Sequence, residues 1–223
     1  MLSIVSTPIG NLGDITVRGM ETLRNCAAIV CEDTRVTGTL LKLLSLNRKE
    51  LISMHGYTDP RKIDGVLDRL KNGEHLALVS DAGTPGISDP GYALVHRCAE
   101  ENIRIEVLPG AAAFLTALSG SGLPINRFLY LGFLPMKKGR KTLLASFVGQ
   151  EQTIVFYESV HRIERTLLEL ADALASQPTR VIVIARELTK LHETFHHTTV
   201  AGLPDLAGNI VKKGEFVIVI GPM

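Results

Sequence analysis

Tryptophan is absent from this chain, and aromatic residues make up only 5% of it. The missing tryptophan excludes nothing by itself; the other scarcities exclude more. There are three cysteines, Cys26, Cys31 and Cys98, an odd number with no C-x-x-C pair. They suit a reducing cytosol and read as buried thiols rather than ligands. No apolar run approaches the about 18 residues of a membrane span. The chain opens directly on a strand with no signal peptide, so a soluble cytoplasmic protein is expected. Neither charge dominates: 24 Lys+Arg stand against 23 Asp+Glu, a formal net charge of +1. That balance excludes a wholesale polybasic nucleic-acid binder and leaves room for a local basic patch. No G-x-G-x-x-G opens the first unit and no G-x-x-x-x-G-K-[ST] occurs anywhere, so the dinucleotide fingerprint and the P-loop are both missing. There is no internal repeat and no low-complexity segment.

What is present is a sizeable core in prospect. Hydrophobic residues reach 45% and charged residues 21% of 223 residues, enough for one large domain or two of about 110 residues. Apolar runs predict strands at 2–5, 27–31, 52–54, 76–79 and 103–108. Helices are expected over 17–24 with Thr16 as N-cap, over 37–46, over 60–70 opened by Asp59-Pro60, after Asp89-Pro90, and from Ala111. Strand, loop and helix thus recur five times, the signature of a mostly parallel sheet flanked by helices. Residues 1–119 form the expected N-terminal domain and residues 120–127, rich in glycine and serine, a linker. Residues 128–223 have another texture, with strands at 128–134, 153–157, 181–185, 194–200 and 216–220. Helices are expected there over 137–147, 161–174 and 203–206. A mixed, partly antiparallel sheet is the expectation.

The chain is organised around Leu76-Ala77-Leu78-Val79 and the loop that follows, Ser80-Asp81-Ala82-Gly83-Thr84-Pro85-Gly86-Ile87-Ser88. This loop is longer than a βα connection needs, and its glycines and prolines fix the backbone rather than loosen it. Other Pro/Gly loops follow strands at Pro8–Gly10 and Pro109–Ala113. In a parallel sheet these strand ends share one edge and build one crevice. Asp81 is either its polar anchor or a loop cap. Glu32-Asp33-Thr34-Arg35 ends the second strand on the same edge, as an internal salt bridge or as a general base with a phosphate or ribose contact. Tyr157-Glu158 and Arg186-Glu187 end strands of the second block and are placed to close the crevice. Met136-Lys137-Lys138-Gly139-Arg140-Lys141, with Arg127 before it, is a solvated helix face or a phosphate-contacting edge. His192-Glu193-Thr194-Phe195-His196 matches H-E-x-x-H literally. That motif needs a helix, whereas its surroundings favour a strand, where the two histidines stand about 13 Å apart. No metal site is expected.

Taken together, these stretches resemble the tetrapyrrole methylase superfamily of S-adenosylmethionine-dependent methyltransferases. Within it they are most similar to the bacterial enzymes that methylate the ribose 2'-oxygen of a decoding-centre cytidine in small-subunit (16S) ribosomal RNA. The resemblance rests on Thr7-Pro8-Ile9-Gly10-Asn11-Leu12, Glu32-Asp33-Thr34-Arg35, Ser80-Asp81-Ala82-Gly83-Thr84-Pro85, Leu108-Pro109-Gly110, Gly132-Phe133-Leu134-Pro135, Phe156-Tyr157-Glu158-Ser159, Ala185-Arg186-Glu187-Leu188-Thr189-Lys190 and Lys213-Gly214-Glu215. It implies two α/β domains with the cofactor in the interdomain cleft, a homodimer, and a small-subunit rRNA substrate. It implies cofactor contacts from Pro8, Ile9, Gly10, Asp81, Ala82, Gly83, Thr84, Ala112, Ala113 and Tyr157. Two departures stand out. Where the family usually has a proline or serine after Pro-Gly, this chain has Ala111-Ala112-Ala113, leaving only backbone contacts. Relatives commonly carry a further C-terminal helical region, which is not expected within these 223 residues.

Ribose methylation needs a base for a poorly nucleophilic hydroxyl. Glu32, Asp33, Glu158 and Glu187 are candidates, with the Glu32-Asp33 pair preferred. Arg35, Arg186 and Lys190 are candidates to position phosphate or ribose. The competing readings are a methyltransferase of the same fold acting on a tetrapyrrole or another small molecule, a non-catalytic ribosome-binding module, and a zinc hydrolase.

Overall fold

The structure is a computed structural model, and it describes residues 1–55, 59–88 and 91–223. The chain divides into two compact units, Met1–Ala112 and Ala113–Met223.

The first unit is a five-stranded, all-parallel sheet of order β3-β2-β4-β1-β5. Its strands are β1 (Leu2–Val5), β2 (Ala28–Cys31), β3 (Glu50–Ser53), β4 (Leu76–Leu78) and β5 (Ile105–Leu108). Side chains alternate across a strand, and both faces are covered. Leu76 and Leu78 of β4 pack with Leu2 and Ile4 against α3 (Pro60–Lys71) and α4 (Tyr92–Glu100). Ala77 and Val79 pack with Val5 and Ile29 against α1 (Val17–Asn25) and α2 (Thr34–Leu43). Crossovers from β1 and β2 therefore lie on one face, and those from β3 and β4 on the other. The neighbours β1 and β4 send their chains to opposite faces, which opens a crevice beyond their carboxyl ends.

Local chemistry sets the helix starts. Thr16 accepts from the Gly19 N–H at 2.9 Å and caps α1. Asp59 accepts from the Arg61 N–H at 2.9 Å, and Pro60 is the first residue of α3. Helix α2 begins at Thr34, not at the expected Thr37, because Asp33 is its N-cap and accepts from the Arg35 N–H at 2.8 Å. The expected cap at Asp89 and Pro90 lies outside the described residues; α4 starts at Tyr92, after Gly91 at φ 135°.

The second unit is a mixed sheet of order β6-β7-β10-β8-β9, parallel at β6/β7 and antiparallel elsewhere. Its strands are β6 (Phe128–Phe133), β7 (Thr153–Glu158), β8 (Val181–Arg186), β9 (Thr194–Thr199) and β10 (Phe216–Ile220). One face presents Ile154, Phe156, Ile182, Ile184, Phe216 and Ile218 to α6 (Arg140–Ser146), α7 (Ile163–Ala173) and α8 (Leu203–Asn209). Helix α5 (Ala113–Gly120) packs on β7 and β10. It starts two residues after the expected Ala111 and belongs to the second unit, so the division falls before α5 and not at residues 120–127. Helix α6 is shorter than the basic helix expected over 137–147; Lys137 and Lys138 precede it. Arg180, which sequence reading passes over, is buried here and donates to the carbonyls of Phe147, Gln150 and Gly221. Burial lowers its pKa, yet no carboxylate is bonded to it among the described residues.

Candidate active site

Three loops at the carboxyl edge of the parallel sheet are locked to one another. The loop after β1 and the loop after β4 form an isolated antiparallel bridge: the Thr7 N–H donates to the Gly83 carbonyl at 2.9 Å, and the Gly83 N–H donates back at 3.1 Å. Gly83 sits at φ +87°, and a Cβ there would stand 3.3 Å from Ile9 Cγ2. Left-handed backbone and tight packing together call for glycine. Thr7 Oγ1 donates to the Ser80 carbonyl at 3.1 Å, and Ser80 Oγ donates to the Gly83 carbonyl at 3.0 Å.

The loop after β5 joins through hydroxyls. Ser6 Oγ and Thr84 Oγ1 are 2.9 Å apart, and Thr84 Oγ1 donates to the Ala111 carbonyl at 2.9 Å. The alanines after Pro109-Gly110 offer no side-chain hydrogen bond, and the backbone carbonyl takes that part. Gly110 lies so close to β1 that a Cβ would be 2.5 Å from Ser6 Cβ.

The turn after β2 is tied in by Asp81, whose Oδ1 accepts from the Asp33 N–H at 3.1 Å. Asp81 thus caps this turn through one oxygen. Among the described residues its Oδ2 has no donor, so one oxygen remains for a ligand. An open groove of about 580 Å³ lies beside it, lined by Pro8, Gly10, Asp33, Arg35, Asp81 and an apolar wall from Leu12 and α2. That size falls within the usual range of ligand sites.

The two acids after β2 differ sharply. Arg35 donates to both carboxylate oxygens of Asp33, Nη2 to Oδ2 at 2.6 Å and Nε to Oδ1 at 3.0 Å. Those bonds hold the Asp33 carboxyl down to about 2. Burial, then the charges of Asp81 and Asp33, raise the Glu32 carboxyl above its ordinary value. Of the pair, Glu32 keeps the higher proton affinity.

Of the expected cofactor residues, the structure brings Pro8, Ile9, Gly10, Asp81, Gly83 and Thr84 to this edge with the exposed Ala82, and Ala112 follows the Ala111 that Thr84 holds. Ala113 and Tyr157 belong to the second unit, where Tyr157 Oη accepts from the Phe114 N–H at 3.3 Å.

The second unit's candidate acids and bases are engaged with their own neighbours. Arg186 is buried and donates from Nε to the Lys213 carbonyl at 2.7 Å. Glu187, at φ 52°, accepts from Lys190 Nζ at 2.8 Å and from the Glu215 N–H at 3.1 Å. Chiefly through Lys190, its carboxyl is lowered. Glu158 has a fully buried carboxylate that takes Arg162, Thr166 and its neighbour's Ser159 N–H. That saturation leaves no lone pair facing a substrate. Arg140, counted with the solvated basic run, is buried and donates to Glu169 and Thr166, both at 2.6 Å. Its fixed side chain gives no sequence signal apart from the Arg140/Glu169 charge complementarity. His196 stands on strand β9 opposite Ile184, so the H-E-x-x-H pattern has no helix to place both rings on one face.

Comparisons agree with this architecture. Residues 1–204 match the family described as Tetrapyrrole (Corrin/Porphyrin) Methylases. The chain is 45% identical over 222 residues to the Ribosomal RNA small subunit methyltransferase I of Escherichia coli O157:H7, covering 98% of this chain and 77% of that protein. The protein of the same name from Thermotoga maritima is 41% identical, with 98% and 97% covered. In fold, the chain is similar to the uroporphyrin-III C-methyltransferase of Thermus thermophilus crystallised with S-adenosylhomocysteine, at a TM-score of 0.65 and 17% identity, with 99% and 96% covered. The chain belongs to the tetrapyrrole methylase family.

Proposed function

We propose that this chain is an S-adenosylmethionine-dependent methyltransferase that methylates the ribose 2'-oxygen of a cytidine in small-subunit (16S) rRNA near the decoding centre, acting as a homodimer in the bacterial cytoplasm. The observation that carries this reading is the 45% identity, over nearly the whole chain, to a protein named Ribosomal RNA small subunit methyltransferase I.

The residues at the sheet edge suit the cofactor. Two carboxylates, Asp33 and Asp81, and one guanidinium, Arg35, line the groove, so its wall favours a cation-bearing ligand with hydroxyl and amine donors. Asp81 offers its remaining oxygen to such a donor. Pro8, Ile9, Gly10, Ala82, Gly83, Thr84 and Ala112 supply backbone and small side chains, which let a flat, polar ligand approach closely. Ala113 and Tyr157 are the remaining residues of the proposed cofactor set.

When bound, S-adenosylmethionine supplies an electrophilic methyl group, which needs no metal. The protein's task is to hold the acceptor oxygen in line and to take its proton. Glu32 suits that task better than Asp33, because a carboxylate held at about 2 by Arg35 is a weak proton acceptor. Arg35, with its side chain 88% exposed, positions a ribose or phosphate oxygen while keeping Asp33 as the helix cap. Arg186, Glu187 and Lys190 are the remaining residues proposed for substrate placement.

The test is incubation with methyl-labelled cofactor and, in parallel, unmethylated small subunits, naked rRNA, or a tetrapyrrole, each with and without chelator. The expected result is chelator-insensitive label in the rRNA arms, recovered by nuclease digestion as 2'-O-methylcytidine. Label in the tetrapyrrole alone, or on a base rather than a ribose, contradicts the reading.

A further inference from the structure

Strand β6 carries Phe128, Tyr130 and Phe133. In an unbroken strand Tyr130 and Phe133, three residues apart, face opposite sides. Here Gly132 takes φ 59° and the pairing with β7 shifts register between them. Both rings consequently meet Tyr157, Tyr130 at a centroid distance of 5.6 Å and Phe133 at 5.4 Å. Phe114 lies 4.4 Å from Tyr130 behind them. Phe133 ends this ladder with 54% of its surface exposed. A bulge that turns a large aromatic outward onto an aromatic bed is a built feature.

The loop after Phe133 is held by two arginines. Arg162 Nη1 donates to the Leu134 carbonyl at 3.1 Å, and Arg140 Nη1 to the Pro135 carbonyl at 3.2 Å. Both guanidinium groups face the Glu158 carboxylate, Arg162 at 2.8 Å and Arg140 at 3.5 Å. Burying a carboxylate and an arginine is costly unless the geometry is fully satisfied. Here that cost goes into fixing the backbone of 134–135. At the tip stand Lys137 and Lys138, exposed and, among the described residues, without a carboxylate partner.

We propose that Phe133, Lys137 and Lys138 form a ledge that contacts a single-stranded segment of the rRNA substrate, the ring stacking an unpaired base and the two ammonium groups taking flanking phosphates. The proposal rests on the rRNA reading above. An exposed aromatic beside unpaired lysines is the combination that single-stranded RNA sites use, whereas lysine is depleted where protein meets protein. Buried Arg140 and half-buried Arg162 give the loop its shape before RNA arrives, which limits the ordering cost of binding.

Full-length K137A/K138A, F133A and F133W are compared with wild type for binding to unmethylated small subunits across a salt series. Cofactor affinity by calorimetry and sedimentation run alongside. K137A/K138A is expected to flatten the slope of log K against log salt by about 1.4, two single-strand phosphates. F133A is expected to weaken binding about tenfold with the slope unchanged, and F133W to restore it, as stacking requires. Sedimentation should match wild type throughout, and K137A/K138A should keep wild-type cofactor affinity. A wild type that methylates while the variants bind as tightly with the same slope overturns the ledge alone. Conversion of a dimer to a monomer by F133A overturns it in favour of contact with a second copy. A wild type that neither binds nor methylates small subunits overturns both the ledge and the substrate reading.

Discussion

Thr7 and Gly83, 76 residues apart in sequence, exchange a pair of backbone hydrogen bonds of 2.9 and 3.1 Å outside any strand. This bridge makes one surface of the loops after β1 and β4. With Ser6, Thr84 and Ala111 it extends to the loop after β5. A ligand bound there meets a backbone that is already in place, so little ordering is left to binding.

The close approach of Gly110 to Ser6 should be intolerant of a methyl group. In G110A the new Cβ meets Ser6 Cβ, whose hydroxyl is committed to Thr84. Overpacking of this kind costs about 1–3 kcal/mol. Thermal unfolding should show the loss, and calorimetry should show weaker cofactor binding from displacement of Thr84. An unchanged melting point together with unchanged affinity would mean that the three loops are not coupled.

Asp81 has a cap to keep and a charge to offer, and the two can be separated. In D81N an amide oxygen can still accept from the Asp33 N–H, while the negative charge is gone. D81A loses both. Charge-assisted bonds are about twice as strong as neutral ones. We therefore expect D81N to fold like wild type and to bind cofactor at least about tenfold more weakly, and D81A to lose stability as well. Wild-type affinity in D81N removes the carboxylate from the site.

Glu32 titrates above the ordinary glutamate value, mainly through burial. As a base it must be ionised. Turnover should fall as pH drops through that raised value, at higher pH than an exposed glutamate dictates. E32Q should keep cofactor affinity, lose turnover by about 10²–10⁴, and lose this acid limb. The stability sign is opposite. A carboxyl raised by folding contributes stability when protonated, and that contribution is lost as pH rises through its folded value. E32Q should therefore be slightly more heat-stable than wild type at neutral pH. Full turnover in E32Q rules it out as base.

Much of this was legible from pattern. The runs at Leu2–Val5 and Phe216–Ile220 are strands with those bounds, because unbroken apolar runs between turn formers admit little else. The convergence of the loops at Pro8, Asp81 and Pro109 followed from parallel strands sharing an edge. Three things were not legible. The start of α2 depended on whether Asp33 capped or stood free, a question settled by its bond to the Arg35 N–H. The placement of α5 with the second unit depended on packing against β7 and β10, which no local sequence encodes. Arg140 and Arg180 look like surface charges in sequence. Only the tertiary fold supplies the carboxylates and carbonyls that bury them.

Arg180 gives a prediction of pure stability. Its guanidinium clips Phe147, Gln150 and Gly221 together by their carbonyls. Hydrogen bonds involving a charged group are worth about 1.5–3 kcal/mol each, fewer in sum once neighbours relax. R180M should preserve most of the apolar stem yet lower the unfolding free energy by about 2–4 kcal/mol. Cofactor binding by the surviving folded protein should be intact. A chemical-denaturation midpoint equal to that of wild type contradicts the role.

We propose that the linked loops at the edge of the parallel sheet grip a sulfonium donor. The decisive measurement is a crystal structure of the protein grown with S-adenosylhomocysteine, the demethylated product of that donor. The expected density lies along Pro8–Gly10 and Asp81–Thr84, with a ligand donor within hydrogen-bond reach of Asp81 Oδ2. Density lodged elsewhere, with Asp81 and the Thr7–Gly83 bridge untouched by ligand, contradicts it.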